Sequence, residues 1–268
     1  MRKINFTKMV ATGNDFVLVA EKLSGNLSTL AKNICDRKLG IGADGLLLLE
    51  KSKNADIRMR ILNADGSEAQ MCGNGAMCVA FYSGTQLPNP NFQLKIETKA
   101  GIIDPRVESS SVAIRLTEPH SIKLDLPIKI GRRKVHVNSI NTGVPHIVIF
   151  VNGLDGIAVR ELGRDMRYHK AFAPRGTNVN FVEVVNKDTI RLRTYERGVE
   201  DETLACGTGS VASALVFALK NKNRIEKVNV ATKSKEILKV YFKRVGDNFK
   251  NVWLEGGAKI VYRGVYYV

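Results

Sequence analysis

Cysteine, histidine and tryptophan are scarce in this chain: four, four and one in 268 residues. Four cysteines do not build a disulfide scaffold at this length. Cys35, Cys72, Cys78 and Cys206 contain no Cys-x-x-Cys pair, so they do not spell a structural zinc site, and no metal is expected. Each thiol is expected to be reduced, and either a small core residue or a reactive group. Long apolar runs are missing too. The longest, 211–219, is about half of the ~18 residues a membrane span needs, so no membrane partner is expected. The opening Met1-Arg-Lys-Ile-Asn-Phe-Thr-Lys8 lacks the apolar stretch of a signal peptide, so a cytoplasmic protein is expected. Acidic residues are the minority, 26 against 41 lysines and arginines, which leaves a net charge of +15. Aromatics are only 7%, and few stand among the basic residues to stack bases. The densest basic stretch, 220–250, alternates lysine with apolar residues, as in Ile237-Leu-Lys-Val-Tyr-Phe-Lys243. That is the wet face of strands. A solvated lysine-rich surface is the reading, and nucleic acid is not expected as a partner. What remains is an ordinary globular composition, 44% hydrophobic and 25% charged, long enough for one large domain or two smaller ones.

The chain is written twice. Cys72-Gly-Asn-Gly75 and Cys206-Gly-Thr-Gly209 stand half a chain length apart. Their flanks repeat at nearly the same offset. Ile57-Arg-Met-Arg60 answers Ile190-Arg-Leu-Arg193, both strand-like. Gly42-Ala-Asp-Gly-Leu-Leu-Leu48 answers Gly176-Thr-Asn-Val-Asn-Phe-Val182, and Gly13-Asn-Asp-Phe-Val17 lies near the register of Gly143-Val-Pro-His-Ile147. An apolar helical stretch follows each cysteine motif, at 76–83 and 210–220. Strand signals dominate between the motifs, at 92–98, 102–107, 112–116, 134–140 and 147–151. Further helices are expected near 27–38 and 158–169. Glu118-Pro119-His120 and Leu126-Pro127 interrupt the pattern and place a boundary near 116–127. The expected fold is α+β: two pseudo-symmetric domains, 1–117 and 118–268, each of mainly antiparallel sheet around a central helix. The last strand is free to pack back on the first half.

Glycines after each cysteine let a ligand approach the backbone. The helix that follows offers unpaired N–H groups and a positive dipole end, which suits an anion. The same environment favours a thiolate. Two such loops facing one cleft would put two thiols on opposite sides of one ligand. A racemase or epimerase needs that arrangement, because it removes a proton from one face of a carbon and returns one to the other. For either motif alone, Cys-Gly is more often a packed turn; the matched flanks favour function. Without a ligand between them, the two thiols are expected to oxidise to a disulfide, so activity would fall under oxidant and return with a thiol reductant. Gly40-Ile-Gly-Ala-Asp-Gly45 mimics a dinucleotide fingerprint. A helix-like stretch precedes it and a strand-like one follows, the reverse of the required order, so no NAD is expected.

On these words the chain resembles the diaminopimelate epimerase family over essentially its whole length. The strongest are Gly13-Asn-Asp-Phe16, Asn63-Ala-Asp-Gly-Ser67, Met71-Cys-Gly-Asn-Gly75, Pro145-His146, Gly176-Thr-Asn-Val-Asn180, Tyr195-Glu-Arg-Gly198 and Ala205-Cys-Gly-Thr-Gly209. The related proline racemase family has a histidine after the first Cys-Gly, where Asn74 stands here. The resemblance implies cofactor-free conversion of LL-2,6-diaminopimelate to the meso form, on the route to lysine and peptidoglycan precursors. It implies an active site in the cleft between the two halves. Cys206 would take the proton from the LL isomer and Cys72 would donate to the opposite face. Backbone amides of Gly73, Asn74, Gly207 and Thr208 would hold the reacting carboxylate. Asn14, Asn63, Asn178, Glu196 and Arg197 would hold the substrate. His146 would sit beside Cys72 and Glu196 beside Cys206, tuning their protonation. A homodimer is implied, with Tyr262 at its interface.

Bland readings stand beside these: a turn residue for Asn63, a surface ion pair for Arg197, a buried hydrogen-bonded ring for His146, a closing strand for 261–268. Two positions depart from the family. Val144 stands where many members carry a substrate-contacting asparagine, and Gly45 where many carry glutamine. They keep open a racemase or isomerase of another amino acid on the same fold. A basic binding protein with a vestigial site is the remaining rival; it predicts steeply salt-sensitive nucleic-acid binding and silent cysteine substitutions.

Overall fold

The computed structural model describes residues 2–86, 93–131, 133–221 and 224–268. The chain divides into two compact units, Met1–Ile114 with Glu255–Val268, and Arg115–Leu254.

In the first unit, Lys3–Ala11 and Asn14–Val19 form an antiparallel hairpin. Its tip, Thr12 and Gly13, has φ of 49° and 91°, the left-handed pair that a two-residue turn requires. Asn14–Val19 runs parallel to Gly45–Glu50, which runs antiparallel to Ile57–Asn63, which runs parallel to Ile96–Thr98, which pairs antiparallel with Gly101–Ile103. Parallel neighbours need a crossover. Helix α1 (Leu27–Cys35) makes the first crossover and helix α2 (Gly73–Gln86) the second. The terminal strand, Asn248–Tyr267, closes this unit by pairing along the first, from Ala258 opposite Ala11 to Tyr267 opposite Lys3.

The second unit repeats that order. Arg133–Asn141 pairs antiparallel with Pro145–Phe150, then parallel Asn178–Val184, antiparallel Thr189–Glu196, parallel Lys227–Ala231 and antiparallel Ile237–Val245. Helices α3 (Val159–Arg167) and α4 (Gly207–Lys220) make the two crossovers. The repeat seen in the sequence is thus a repeat of topology.

The central strands of each sheet are buried on both faces. Val17, Val19, Leu46 and Leu48 pack toward α1 with Ala31 and Ile34. The alternate residues Leu47 and Ile61 meet α2, where a Cβ on Gly75 would lie 3.0 Å and 3.5 Å from their side chains. This explains the unbroken Gly-Leu-Leu-Leu-Leu of Gly45–Glu50. In the second unit Ile147, Ile149, Val179 and Phe181 pack with Val159 and Met166 of α3. Helix α4 is buried from Gly209 through Ala218. It is apolar or small all round, as a helix enclosed by sheet must be.

Expected and observed elements differ at edges. Of the strand expected at 92–98, Phe92 lies outside the described residues, and the observed strand is Ile96–Thr98. The stretch 116–127 interrupts less than its prolines suggest. His120–Ile130 is one strand, pairing with Arg133–Asn141 through two register shifts. Ser121 and Asp125 take φ of 57° and 54° there. Such bulges, on a mostly exposed strand, are where a sheet accepts a residue such as Pro127.

Candidate active site

The two cysteine motifs build the same local structure. Cys72 immediately precedes α2: its carbonyl accepts from Ala76 N at 2.9 Å and its Sγ from Gly75 N at 3.5 Å. Cys206 caps α4 in extended backbone. Its carbonyl accepts from Ser210 N at 2.8 Å and Ser210 Oγ at 2.9 Å. Neither helix carries an acidic residue in its first turn. The positive end of each dipole is therefore not neutralised by its own side chains. Cys72 is half-buried and Cys206 is buried. The other two thiols are core residues. Burial pushes Cys35 up to about 11. Burial, then the neighbouring Cys72, pushes Cys78 well above its ordinary value.

In the first unit an ordered chain of polar groups leads to the Cys72 loop. Lys8 Nζ donates to Asp15 at 2.7 Å and also to the Gly42 carbonyl. Arg37 clamps Asp15 through two bonds of 2.7 Å and 3.1 Å and reaches Asp44 at 2.8 Å. Burial would raise the Asp15 carboxyl, but bonds from Arg37 and Lys8 outweigh it and hold it at about 2. Asp44, an acceptor only, takes Asn14 Nδ2 at 2.9 Å. That orients Asn14 Oδ1 to accept from Asn74 Nδ2 at 2.6 Å. Asn74 Oδ1 is then an acceptor, buried and without a hydrogen-bond partner among the described residues. Asn14, Cys72, Gly73 and Asn74 are thus brought together. Asn63 is exposed and closes a turn, donating to Ser67 Oγ at 2.9 Å while Gly66 N bonds its carbonyl at 2.9 Å. Its strand register sets it opposite Gly45. At Gly45 a Cβ would stand 3.0 Å from the Leu62 carbonyl oxygen, so a larger residue there requires the neighbouring backbone to give.

In the second unit the register aligns His146 with Asn178 on neighbouring parallel strands. Asn178 is buried; its Nδ2 donates to the Pro145 carbonyl at 3.0 Å and its Oδ1 accepts from Arg197 N at 2.9 Å. This ties the Tyr195-Glu-Arg-Gly198 turn to Pro145-His146. His146 is fully buried, with Nε2 3.0 Å from Thr208 Oγ1 and Nδ1 3.2 Å from Asn180 Nδ2. The resemblance sets this ring beside Cys72; the bond observed here runs to Thr208 of the Cys206 loop, whose Oγ1 lies 3.6 Å from Cys206 Sγ. Burial, then the Arg197 charge, lowers His146 to about 3. Glu196 pairs in register with Asp201 and is half-buried. Arg197 lines a cavity of about 410 Å³ with Asn141, Val144, Pro145, Arg175 and Thr177. Burial, then Arg167 and Arg175, lowers the Arg197 guanidinium. These arginines make the cavity suited to a carboxylate.

Sequence reading overlooked Asn180, Lys8 and Arg37. Asn180 had a signal: a polar residue between Val179 and Phe181, on the opposite face of the strand. Tyr262 lies in the first unit, 46% exposed and edge-on to Phe6 at 5.8 Å. Among the described residues, no group of three or more His, Cys, Asp or Glu could hold a metal ion. No helix there is long and apolar enough to cross a membrane.

Residues 6–120 and 138–261 match the family described as diaminopimelate epimerase. Diaminopimelate epimerases of Hydrogenobaculum sp. (strain Y04AAS1) and Aquifex aeolicus (strain VF5) are each 39% identical, over 97% of both chains. That of Caldanaerobacter subterraneus subsp. tengcongensis is 40% identical over 97% of this chain and 98% of its own. Among solved structures, a Bacillus anthracis phenazine biosynthesis protein of the PhzF family superposes with a TM-score of 0.80 at 18% identity, covering 100% of both chains. A hydroxyproline epimerase from Agrobacterium vitis superposes with a TM-score of 0.70 at 17% identity, covering 98% of this chain and 92% of its own. These distant structures share the α+β fold.

Proposed function

Because the chain belongs to the diaminopimelate epimerase family and is an isomerase, we propose that it interconverts LL- and meso-2,6-diaminopimelate through a thiolate and a thiol. No cofactor is required, and the product feeds lysine and peptidoglycan precursors. The observation that carries this reading is the pair of cysteines, each at the N-terminus of a buried helix with no acid in its first turn. The Cys206 thiolate takes the α-proton: the C–H bond breaks, an S–H bond forms, and the electron pair passes into the adjacent carboxylate. The Cys72 thiol then gives its proton to the opposite face of the carbon. The roles exchange in the reverse direction. N–H groups of Gly73, Asn74, Gly207 and Thr208 stabilise the carboxylate where negative charge develops. Arg197 takes the distal carboxylate in a bidentate pair. Asn14, Asn63, Asn178 and Glu196 complete the substrate contacts. Asn74 Oδ1, buried without a described partner, suits an ammonium donor. Glu196 tunes the protonation of Cys206, and His146, whose ring bonds Thr208, acts through the Cys206 loop. The exposed Tyr262 on Phe6 supports a homodimer built on this strand.

Val144 lining the Arg197 cavity favours one second reading: a racemase or isomerase of another amino acid. Proton NMR of LL-diaminopimelate in D₂O, with reduced, chelator-treated protein and no added cofactor, separates the two. The proposal expects loss of the α-proton signal with meso product appearing. No exchange from folded, thiol-competent protein, with turnover of another amino acid in a panel, would overturn it.

A further inference from the structure

The buried polar side chains under α4 form a chain that ends on the Cys206 sulfur. Its direction can be read from the end where chemistry leaves no choice. Asn180 is fully buried. One end of its amide lies 2.8 Å from the Ile147 carbonyl, which only accepts, so that end is nitrogen. The other end accepts from the Thr194 hydroxyl at 3.0 Å. The same nitrogen faces His146 Nδ1 at 3.2 Å. Nδ1 is therefore an acceptor. Burial, then the Arg197 charge, keeps the ring neutral near pH 7. Its single proton therefore lies on Nε2, which donates to Thr208 Oγ1 at 3.0 Å. That occupies one lone pair of the hydroxyl. The hydroxyl hydrogen and a second lone pair remain for Cys206 Sγ, 3.6 Å away. Thr142 Oγ1 holds the Thr208 carbonyl at 3.1 Å, so the backbone that carries this hydroxyl is itself fixed.

We propose that Asn180 and His146 are positioning residues that hold the Thr208 hydroxyl as a reversible partner of the Cys206 sulfur. When Cys206 is a thiolate, the hydroxyl donates to it. When Cys206 is a thiol, S–H donates to the hydroxyl, which turns about its Cβ–Oγ bond. His146 keeps its proton in both states, so it orients and does not exchange protons. No covalent bond changes within the chain; only one hydrogen-bond direction reverses as Cys206 gains or loses the substrate proton. The arrangement suits a group that must serve as base in one direction and acid in the other. It rests on the reading of Cys206 as an acid/base residue.

Two measurements on the full-length protein test it without using turnover. In the first, iodoacetamide alkylation at near-neutral pH is followed on the Cys206 peptide by mass spectrometry. Thr208→Val keeps the side-chain shape and removes the hydroxyl. Its alkylation is expected to slow about tenfold, as a one-unit rise of the thiol would produce. Thr208→Ser is expected to restore most of the rate. A Val variant that reacts as fast as the unaltered protein, or a Ser variant as slow as Val, overturns the proposal. In the second, nitrogen-15 NMR of labelled histidine reads the tautomer in the unaltered chain. The buried ring is expected to carry its proton on Nε2 throughout about pH 6 to 8. A proton on Nδ1, or titration in that range, overturns it. If both results hold but diaminopimelate is not epimerised, the proposed reaction fails and the hydrogen-bond chain stands.

Discussion

Replacing Gly209 by alanine sets two effects of opposite sign against each other. In a helix interior alanine is favoured over glycine by about 1 kcal/mol. At Gly209, however, the new Cβ would lie 2.4 Å from Asn180 Oδ1 and 3.2 Å from Cys206 Sγ. Asn180 cannot step aside at little cost, because its amide is committed to Thr194, Ile147 and His146. Overpacking of this kind costs about 1–3 kcal/mol. Orphaning one buried amide bond adds about 1–3 kcal/mol. The overlap outweighs the helix gain, and the net expectation is a loss of about 3 kcal/mol with a fall in activity. The pseudo-symmetric change Gly75→Ala is the internal control. Its Cβ would meet Leu47 Cδ2 at 3.0 Å and Ile61 Cδ1 at 3.5 Å, and the ends of aliphatic side chains can rotate. It should therefore lie within about 1 kcal/mol of the unaltered protein. Urea melts of the two variants, with kcat/KM for each, decide the matter. Equal stability of the two, or a Gly209→Ala protein with full activity, would refute the reasoning.

Acid should destabilise the fold through His146 before it reaches the carboxylates. The folded ring sits at about 3 against an ordinary 6.5, so below pH 6.5 the unfolded chain binds a proton the folded one refuses. Stability then falls by at most about 1.4 kcal/mol per pH unit; His146→Gln should flatten the slope of urea-derived stability between about pH 6.5 and 4.5. Asp15 and Glu68, both held at about 2, contribute stability that is lost only below about pH 4.5, so they leave that window clear. Cys35 and Cys78, raised by burial, should resist iodoacetamide in the native protein and react after unfolding; native labelling of either at the rate of Cys72 would contradict their assignment as core thiols. Arg197→Met should raise KM for diaminopimelate by about 10–100-fold, the loss of charge-assisted bonds, with Arg197→Lys in between; an unchanged KM would remove Arg197 from the site.

Much of the architecture was legible because local rules encode it. The alternation of Ile190-Arg-Leu-Arg193 and the small residues after each cysteine dictate strand and helix with little outside help, whereas the hairpin at Thr12-Gly13 shows only in the fold. Written twice, they announce two similar units. The candidate site was legible only in part. Cys72, Cys206, Asn14 and Asn74 stand in short words whose backbone forms locally. The partners of His146 and Asn178 do not. Asn178 reads from its motif as a substrate ligand; that its amide also ties the Pro145 carbonyl to the Arg197 N–H is visible only in the fold.

What the sequence by itself determined is the α+β class, the internal repeat and the presence of two helix-capping cysteines. These depend on neighbours within a few residues. What only the tertiary structure decided is which strands lie parallel, where Asn248–Tyr267 pairs, and that Asn180, His146 and Thr208 meet in one chain. Those contacts join residues tens of positions apart. Their partners are chosen by strand register and by a helix packed on the sheet's inner face, and a hydrogen-bonding group does not carry the address of its partner.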